Sequence, residues 1–258
     1  MVSTIDRNSL LLHIHDESKI IIAKRLIDKI EIVIKNHIIV STDFLDPYEI
    51  RIAESILNKF DTINYKIDGG YINCERSIIY IYPSYLHEIK EDEISLLSYK
   101  NDNNYTHRDI LGSLIGLKIE RKKIGDIVLD DDCFFIFIKS ELHDFVKTNL
   151  EKVSKYNIYC IDKEFQEPKK EYIEKKVIVS SLRLDVIISN ALNISRANSN
   201  DIVKSKAVKV NFKTEDKGSV MLNPKDIISV RKFGRIYFDE IIGKSKKDKY
   251  IINLKFPK

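Results

Sequence analysis

Residues 181–213 read SLRLDVIISNALNISRANSNDIVKSKAVKVNFK, and this stretch decides the fold of the last third of the chain. Ser181 is a candidate N-cap for a helix that begins at Leu182 or Arg183. Leu184, Ile187, Ile188, Ala191 and Leu192 then fall at i, i+3, i+4, i+7 and i+8, which makes one buried helical stripe. Asn193-Ile194 break that helix, and Ser195 caps a second one running through about Ser205. Next comes an alternating strand: Val208, Val210 and Phe212 point one way, Lys209, Asn211 and Lys213 the other. Both helices therefore open on an arginine, Arg183 and Arg196. The helix dipole disfavours a cation there by about 0.3–1 kcal/mol, while the free N–H groups of the same turn invite an anion. Two arginines placed where helix electrostatics prefer acids suggest a phosphate partner. The alternative is that Arg183 pairs locally with Asp185 or another carboxylate.

Outward from this stretch the chain stays basic. Residues 214–219, with Gly218, read as a turn or loop. Residues 226–231 alternate again, with Ile228 and Val230 inward and Ser229 and Arg231 outward. Lys232, Arg235, Lys244, Lys246, Lys247 and Lys249 add positive charge. From Tyr172 to the end there are 19 Lys and Arg against 9 Asp and Glu, a net of +10, and the rest of the chain carries −6. One part is thus drawn to a polyanion that the other repels. Charge alone does not choose between RNA, DNA and an anionic membrane.

The 258 residues allow two domains or three small ones. The most apolar stretch, residues 20–39, is interrupted by Lys24, Arg25, Asp28, Lys29, Glu31 and Lys35, so no membrane span is expected. The N-terminus has no secretory leader, which points to the cytoplasm. Cys74, Cys133 and Cys160 are odd in number and far apart, and read as small buried hydrophobes in a reducing compartment.

Residues 18–36 read as a helix. Asp46 and Pro47 open a second, with Ile50, Ala53, Ile56, Leu57 and Phe60 at helical spacing. Residues 63–67 and 78–82 read as strands flanking Gly69-Gly70. The stretch that follows gives a strand over 94–99, a helix capped by Thr106 to about Gly116, and a strand over 123–129. An Asp130-Asp131-Asp132 turn leads to a strand over 133–139, a helix capped by Ser140, and a closing strand over 156–161. That β-α-β-β-α-β order is the ferredoxin-like pattern, a fold that hosts many functions. The charged residues 163–176, with Pro168, read as a linker before a short strand over 177–179.

Arg183-Leu184-Asp185, then Ser195-Arg196, then Val208-Lys209-Val210-Asn211 resemble the S4 RNA-binding domain over about residues 177–245. Further stretches extend the match: Phe44-Leu45-Asp46-Pro47, Gly69-Gly70-Tyr71 with Glu75-Arg76, His107-Arg108-Asp109 before Leu111-Gly112, and Arg121 with Gly125-Asp126. Together with Ser229-Val230-Arg231 and Gly234-Arg235, they make nearly the whole chain resemble the bacterial YlmH-type S4-domain proteins. The resemblance implies an α+β chain of three small domains: an N-terminal α+β domain (1–85), a ferredoxin-like, RNA-recognition-like middle domain (86–162), and, after the linker, a C-terminal S4 domain of two helices on a small sheet with a strand extension (177–258). It implies a non-catalytic protein that binds structured rRNA or tRNA on the large ribosomal subunit, in translation or the rescue of stalled ribosomes. It implies RNA contacts from Arg183, Ser195 and Arg196, with Lys204, Lys209 and Asn211 lining the same face and Asp185 orienting Arg183. Lys206, Lys213, Arg231, Lys232 and Arg235 complete the expected surface. The family usually has Gly where this chain has Lys206, a position suited to a left-handed C-cap, so Lys must strain or end the helix differently.

Other signals are weaker. His13-x-His15 lacks the additional ligands of a metal site and reads as surface decoration. His107-Arg108-Asp109 has none of the companion motifs of a kinase. Phe135 and Phe137 fall where RNA-recognition modules stack bases, but the acidic turn before them repels phosphate, so they read as rings packed against protein. An S4-linked RNA-modifying enzyme, such as a pseudouridine synthase, is the alternative function. A protein-binding adaptor in cell division or photosystem assembly is another. The expectation is a cytoplasmic monomer without cofactor, metal or membrane contact.

Overall fold

The Asp46-Pro47 pair shows how local chemistry starts an element in this chain. Asp46 accepts from the amides of Tyr48 and Glu49, Glu49 reaches back to the Asp46 amide, and Pro47 presets the first helical φ. The computed structural model describes residues 6–14, 16–90, 92–169 and 171–257. The chain divides into two compact units at Pro168 and Lys169.

The first unit opens with α1 (Arg7–Leu11), α2 (Glu17–Asn36), β1 (Val40–Ser41), α3 (Pro47–Leu57), β2 (Ile63–Asp68) and β3 (Ile78–Pro83). The strands pair antiparallel in the order β1-β3-β2. Leu26, Ile27 and Ile30 of α2 and Ile52, Ile56 and Leu57 of α3 bury against Ile79 and Ile81 of β3. The unit continues with β4 (Ile94–Lys100), α4 (His107–Gly116), β5 (Ile124–Leu129), β6 (Cys133–Lys139), α5 (His143–Asn149), β7 (Lys152–Val153), β8 (Tyr156–Asn157) and β9 (Cys160–Ile161). Its sheet runs β5-β6-β4-β9 with every neighbour antiparallel, which is the β-α-β-β-α-β arrangement read from the sequence. Thr106 caps α4 in a box with Asp109. Two expectations need correction. Ser140 opens a 3-10 turn rather than capping α5. The closing strand is split: Ser154 at φ 56 folds β8 back on β7, Ile158 dips into the core, and only β9 reaches β4.

The front layer and this sheet are pinned together within the unit, although they were expected as separate domains. The Phe44 amide donates to the Lys122 carbonyl at 2.8 Å. Asp126 accepts from the Tyr71 hydroxyl (2.7 Å) and the amides of Glu75 (2.6 Å) and Arg76 (3.0 Å). Arg76 in turn donates to the carbonyls of Phe44 and Ile124. Gly125 lets the Phe44 ring lie on the strand, where an added Cβ would come within 2.6 Å of it. The buried Lys139 ammonium donates to Ser41 and Glu93. Asp126→Ala leaves two amides and a hydroxyl without their acceptor. It is expected to destabilise the unit by about 3 kcal/mol, measured by denaturant unfolding.

The second unit contains β10 (Tyr172–Val179), α6 (Leu184–Leu192), α7 (Arg196–Lys204), β11 (Val208–Val210), β12 (Lys213–Glu215), β13 (Ile227–Val230), β14 (Gly234–Lys244) and β15 (Tyr250–Pro257). The antiparallel sheet runs β10-β15-β14-β13-β11-β12. Leu184, Ile187 and Ile188 of α6 and Val203 of α7 close the core over Val208, Ile228, Phe238 and Ile252. Two expectations shift here as well. β10 begins at Tyr172 rather than Val177, because it pairs with β15 from Tyr172↔Pro257 to Val179↔Tyr250, so part of the charged linker is sheet. The strand expected through Lys213 stops at Val210. Asn211 and Phe212 take φ 48 and 71 in a two-residue hairpin turn, and Lys213 begins the return strand.

Candidate nucleic-acid interface

Arg183 is the N-cap of α6 itself, one step before the helical turn in which it was expected, and its side chain makes no capping bond. It forks onto Asp185 instead, Nε to Oδ1 at 3.0 Å and an Nη to Oδ2 at 3.2 Å. Arg196, the first residue of α7, brings its Nε to the same Oδ2 at 2.8 Å, and Asn200 adds an amide at 3.3 Å. The helix-start geometry thus contains both readings of Arg183, a local ion pair and an outward cation. Asp185 is 0% exposed, while the Arg183 and Arg196 side chains keep 36% and 56% of their surface. Burial pushes the Asp185 carboxyl up, but the hydrogen bonds from Arg183 and Arg196 outweigh it and hold it below the usual carboxylate range. Guanidiniums anchored on one edge with the other open suit a second anion, because each has five N–H donors.

The backbone around Asp185 is equally committed. Its amide donates to the Gly218 carbonyl, and its carbonyl accepts from the Ser199 hydroxyl at 2.8 Å. A Cβ on Gly218 would lie 2.2 Å from Asn200 Oδ1 and 2.9 Å from Asp185 Cβ. Ser195 caps α7 by accepting from the Asn198 amide at 3.1 Å, as the sequence indicated. Asn200 and Gly218 belong to this cluster, though the sequence marks only Gly218, as a turn residue. A lone loop glycine was the only trace.

The remaining expected residues fall into two further groups. Lys204 ends α7, about 12 Å of helix from Arg196. Lys206 follows at φ 57, so it adopts the left-handed cap that glycine would favour, and its amide bonds to Val203. The Arg231 amide donates to the Ala207 carbonyl at 2.9 Å, which sets the exposed Arg231-Lys232 turn beside that helix end. Lys209 pairs across to Ser229, and Ser229 to Arg235. Their neighbours Val208, Val210 and Ile236 are buried, so Lys209 and Arg235 point away from the side that the helices cover. Lys209 therefore does not share a face with the helix starts. Lys213 pairs with Glu215 at 3.1 Å, and Arg235 lies over the Phe212 ring at 5.5 Å. The Asn211 side chain is engaged inside the fold, donating to Asp226 and accepting from the Ile227 amide, so it serves the turn.

In the first unit, Phe135 and Phe137 are 1% and 3% exposed. Phe165 meets both edge-on at 5.1 Å, and Tyr71 tilts against Phe137 at 4.9 Å. The rings pack against protein, as the acidic turn suggested, and no base can stack there while Phe165 is in place.

Among the described residues no group of metal-ligating side chains gathers, and no helix is long and apolar enough to cross a membrane. His13 bonds to Ser55, and His15 lies outside the described residues. Cys133 is buried as expected, but Cys74 is half-buried and Cys160 exposed, since β9 is a short edge strand.

Residues 19–86 match the family model described as "YlmH, N-terminal", and residues 90–167 match "Putative RNA-binding domain in YlmH". The chain is 32% identical over 225 residues to a Bacillus subtilis (strain 168) protein called "Ribosome-associated protein quality control protein P2", covering 81% of this chain and 84% of that one. A solved structure, "Cell division protein ylmH from Streptococcus pneumoniae", superposes with a TM-score of 0.52 at 21% identity. It covers 58% of this chain and 93% of its own, a likeness of fold.

Proposed function

Because the chain belongs to the YlmH family, we propose that it is a non-catalytic, cytoplasmic RNA-binding protein that associates with the ribosome. Its second unit is an S4-type module that grips structured rRNA or tRNA on the large subunit, in the handling of stalled ribosomes. The observation that carries this reading is the pair of half-exposed arginines at the starts of α6 and α7, held by one enclosed carboxylate. The basic balance of the second unit supports it. So does the relation to a ribosome-associated quality-control protein. Lys204, Lys206, Arg231 and Lys232 extend the surface at the other end of α7. The enclosure of Asp185 favours binding over catalysis, since a general base needs open access to its substrate.

Phosphate contacts from four to six basic side chains would make affinity steeply salt-dependent, with log K falling on log salt by about 0.7–0.9 per contact. Sedimentation of the protein with isolated large subunits, with and without tRNA, across a salt series checks this. Salt-insensitive co-sedimentation would remove the phosphate-binding reading.

A further inference from the structure

A cavity of about 330 Å³ lies in the first unit between α2, α3, the β1 edge and residues 121–122. That is within the usual range of small-molecule sites, about 300–1,000 Å³. Ile22, Leu26, Leu45 and Ile52 give it an apolar wall, and Arg25, Lys29, Arg76, Arg121 and Lys122 contribute five basic side chains. Its two acids are already engaged. Asp43 pairs with Lys123 at 2.9 Å and Lys122 at 3.6 Å, and Glu49 pairs with Lys19 at 2.7 Å and accepts from the Asp46 amide.

Lys122 also pairs with Glu120 at 3.0 Å, but three of the basic groups are less well matched. Arg76 and Arg121 spend donors on the neutral carbonyls of Phe44, Ile124 and Gly125, and neither reaches a carboxylate in a salt bridge among the described residues. Asp126 and Glu75 act on Arg121 from further off. Burial and the neighbouring Arg76 outweigh them and push its guanidinium down to about 10. Lys29 is half-buried, its ammonium makes no hydrogen bond among the described residues, and burial pushes it down as well. Positive charge concentrated at an apolar hollow, with its own acids spent, is complementary to a dianion carried on an apolar body. The guanidinium fork fits phosphate oxygens better than a point charge does.

We propose that this cavity binds a small phosphate monoester, its phosphate on the Arg76, Arg121 and Lys29 side and its apolar body against Ile22, Leu26 and Ile52. This site is independent of the RNA surface on the second unit.

Calorimetric titration of the full chain with phenyl phosphate, inorganic phosphate and phenol tests it. One saturable site is expected, with phenyl phosphate about ten-fold tighter than either fragment, since only it satisfies both halves of the cavity. Lys29→Glu, which reverses a charge, and Ile22→Trp, which fills the space, should each weaken it about ten-fold or more. Thermal melting confirms that each variant folds, and Lys29→Gln serves if the Glu variant does not. Competition by AMP or by hexyl phosphate distinguishes a nucleotide from a lipid-like source. Arg196→Glu should bind phenyl phosphate like the parent, so failure of the RNA reading leaves this result untouched. The proposal falls if phenyl phosphate does not saturate, if phenol binds equally well, or if the folded Lys29 and Ile22 variants bind like the parent.

Discussion

Changing Arg183 and Arg196 together to glutamate is expected to weaken binding to large ribosomal subunits about 100-fold or more at about 0.15 M salt. Each charge-assisted contact to a phosphate contributes roughly 1.5 kcal/mol or more, and two lost contacts reach that factor. Reversal adds repulsion from the RNA backbone. Because both arginines also hold Asp185, the Glu variant sets three carboxylates around one point and weakens the fold. An Arg183→Gln and Arg196→Gln pair removes the charges while keeping amide donors near Asp185. It should melt cooperatively, at a lower temperature because the enclosed Asp185 loses its cations, and still lose most of the binding, with a shallower salt slope. Undiminished binding by the folded Gln pair would move the contact to the first unit, where residues 90–167 match a family model described as a putative RNA-binding domain.

Asp185→Ala is expected to cost the second unit about 2 kcal/mol, because it removes the acceptor of three donors while the two arginines it releases are half-exposed and reach water. It strands two guanidiniums and the Asn200 amide at once. The pH dependence follows from the direction of the Asp185 shift. Its carboxyl is held below the usual range in the folded state, so the stabilisation is complete above the unfolded value of about 3.9. It disappears as pH falls through the lower folded value. Asp185→Asn should therefore be less stable than the parent at pH 7, and the gap should close progressively below about pH 4. A constant gap between pH 7 and pH 3, followed by circular dichroism in denaturant, would show that the charge of Asp185 is not what it contributes.

Where local chemistry decides, the sequence was readable. Asp46-Pro47, Thr106 and Ser195 cap helices because their side chains reach amides two or three residues away. The stripe from Leu184 to Leu192 marks α6 because burial follows the helical period. The S4-like order led directly to Arg183, Asp185 and Arg196, which the fold brings into one cluster. Other features depend on partners far away in sequence. The Asn211-Phe212 turn has no glycine to announce two successive positive φ values. Phe165 sits in a charged stretch that reads as linker, and only the assembled sheet gives its ring somewhere to go. Gly218 is needed for a close approach to Asn200 across 18 residues. The basic cavity draws on residues from Ile22 to Lys122, with no motif linking them.

The seven residues of β6, CFFIFIK, are all buried, and six of them are an unbroken apolar run without proline. Before folding, such a segment can template cross-β stacking with copies of itself. Asp130-Asp131-Asp132 stand immediately before it, Lys139 ends it and Glu141 follows. In the finished unit the Asp130 carboxylate pairs with Lys163 at 3.3 Å, while Asp131 and Asp132 are exposed. In a stack of in-register chains, three carboxylates per strand would repeat about every 4.8 Å, a repulsion that grows with each chain added. The acid triplet thus stands where charge repulsion between chains opposes that stacking.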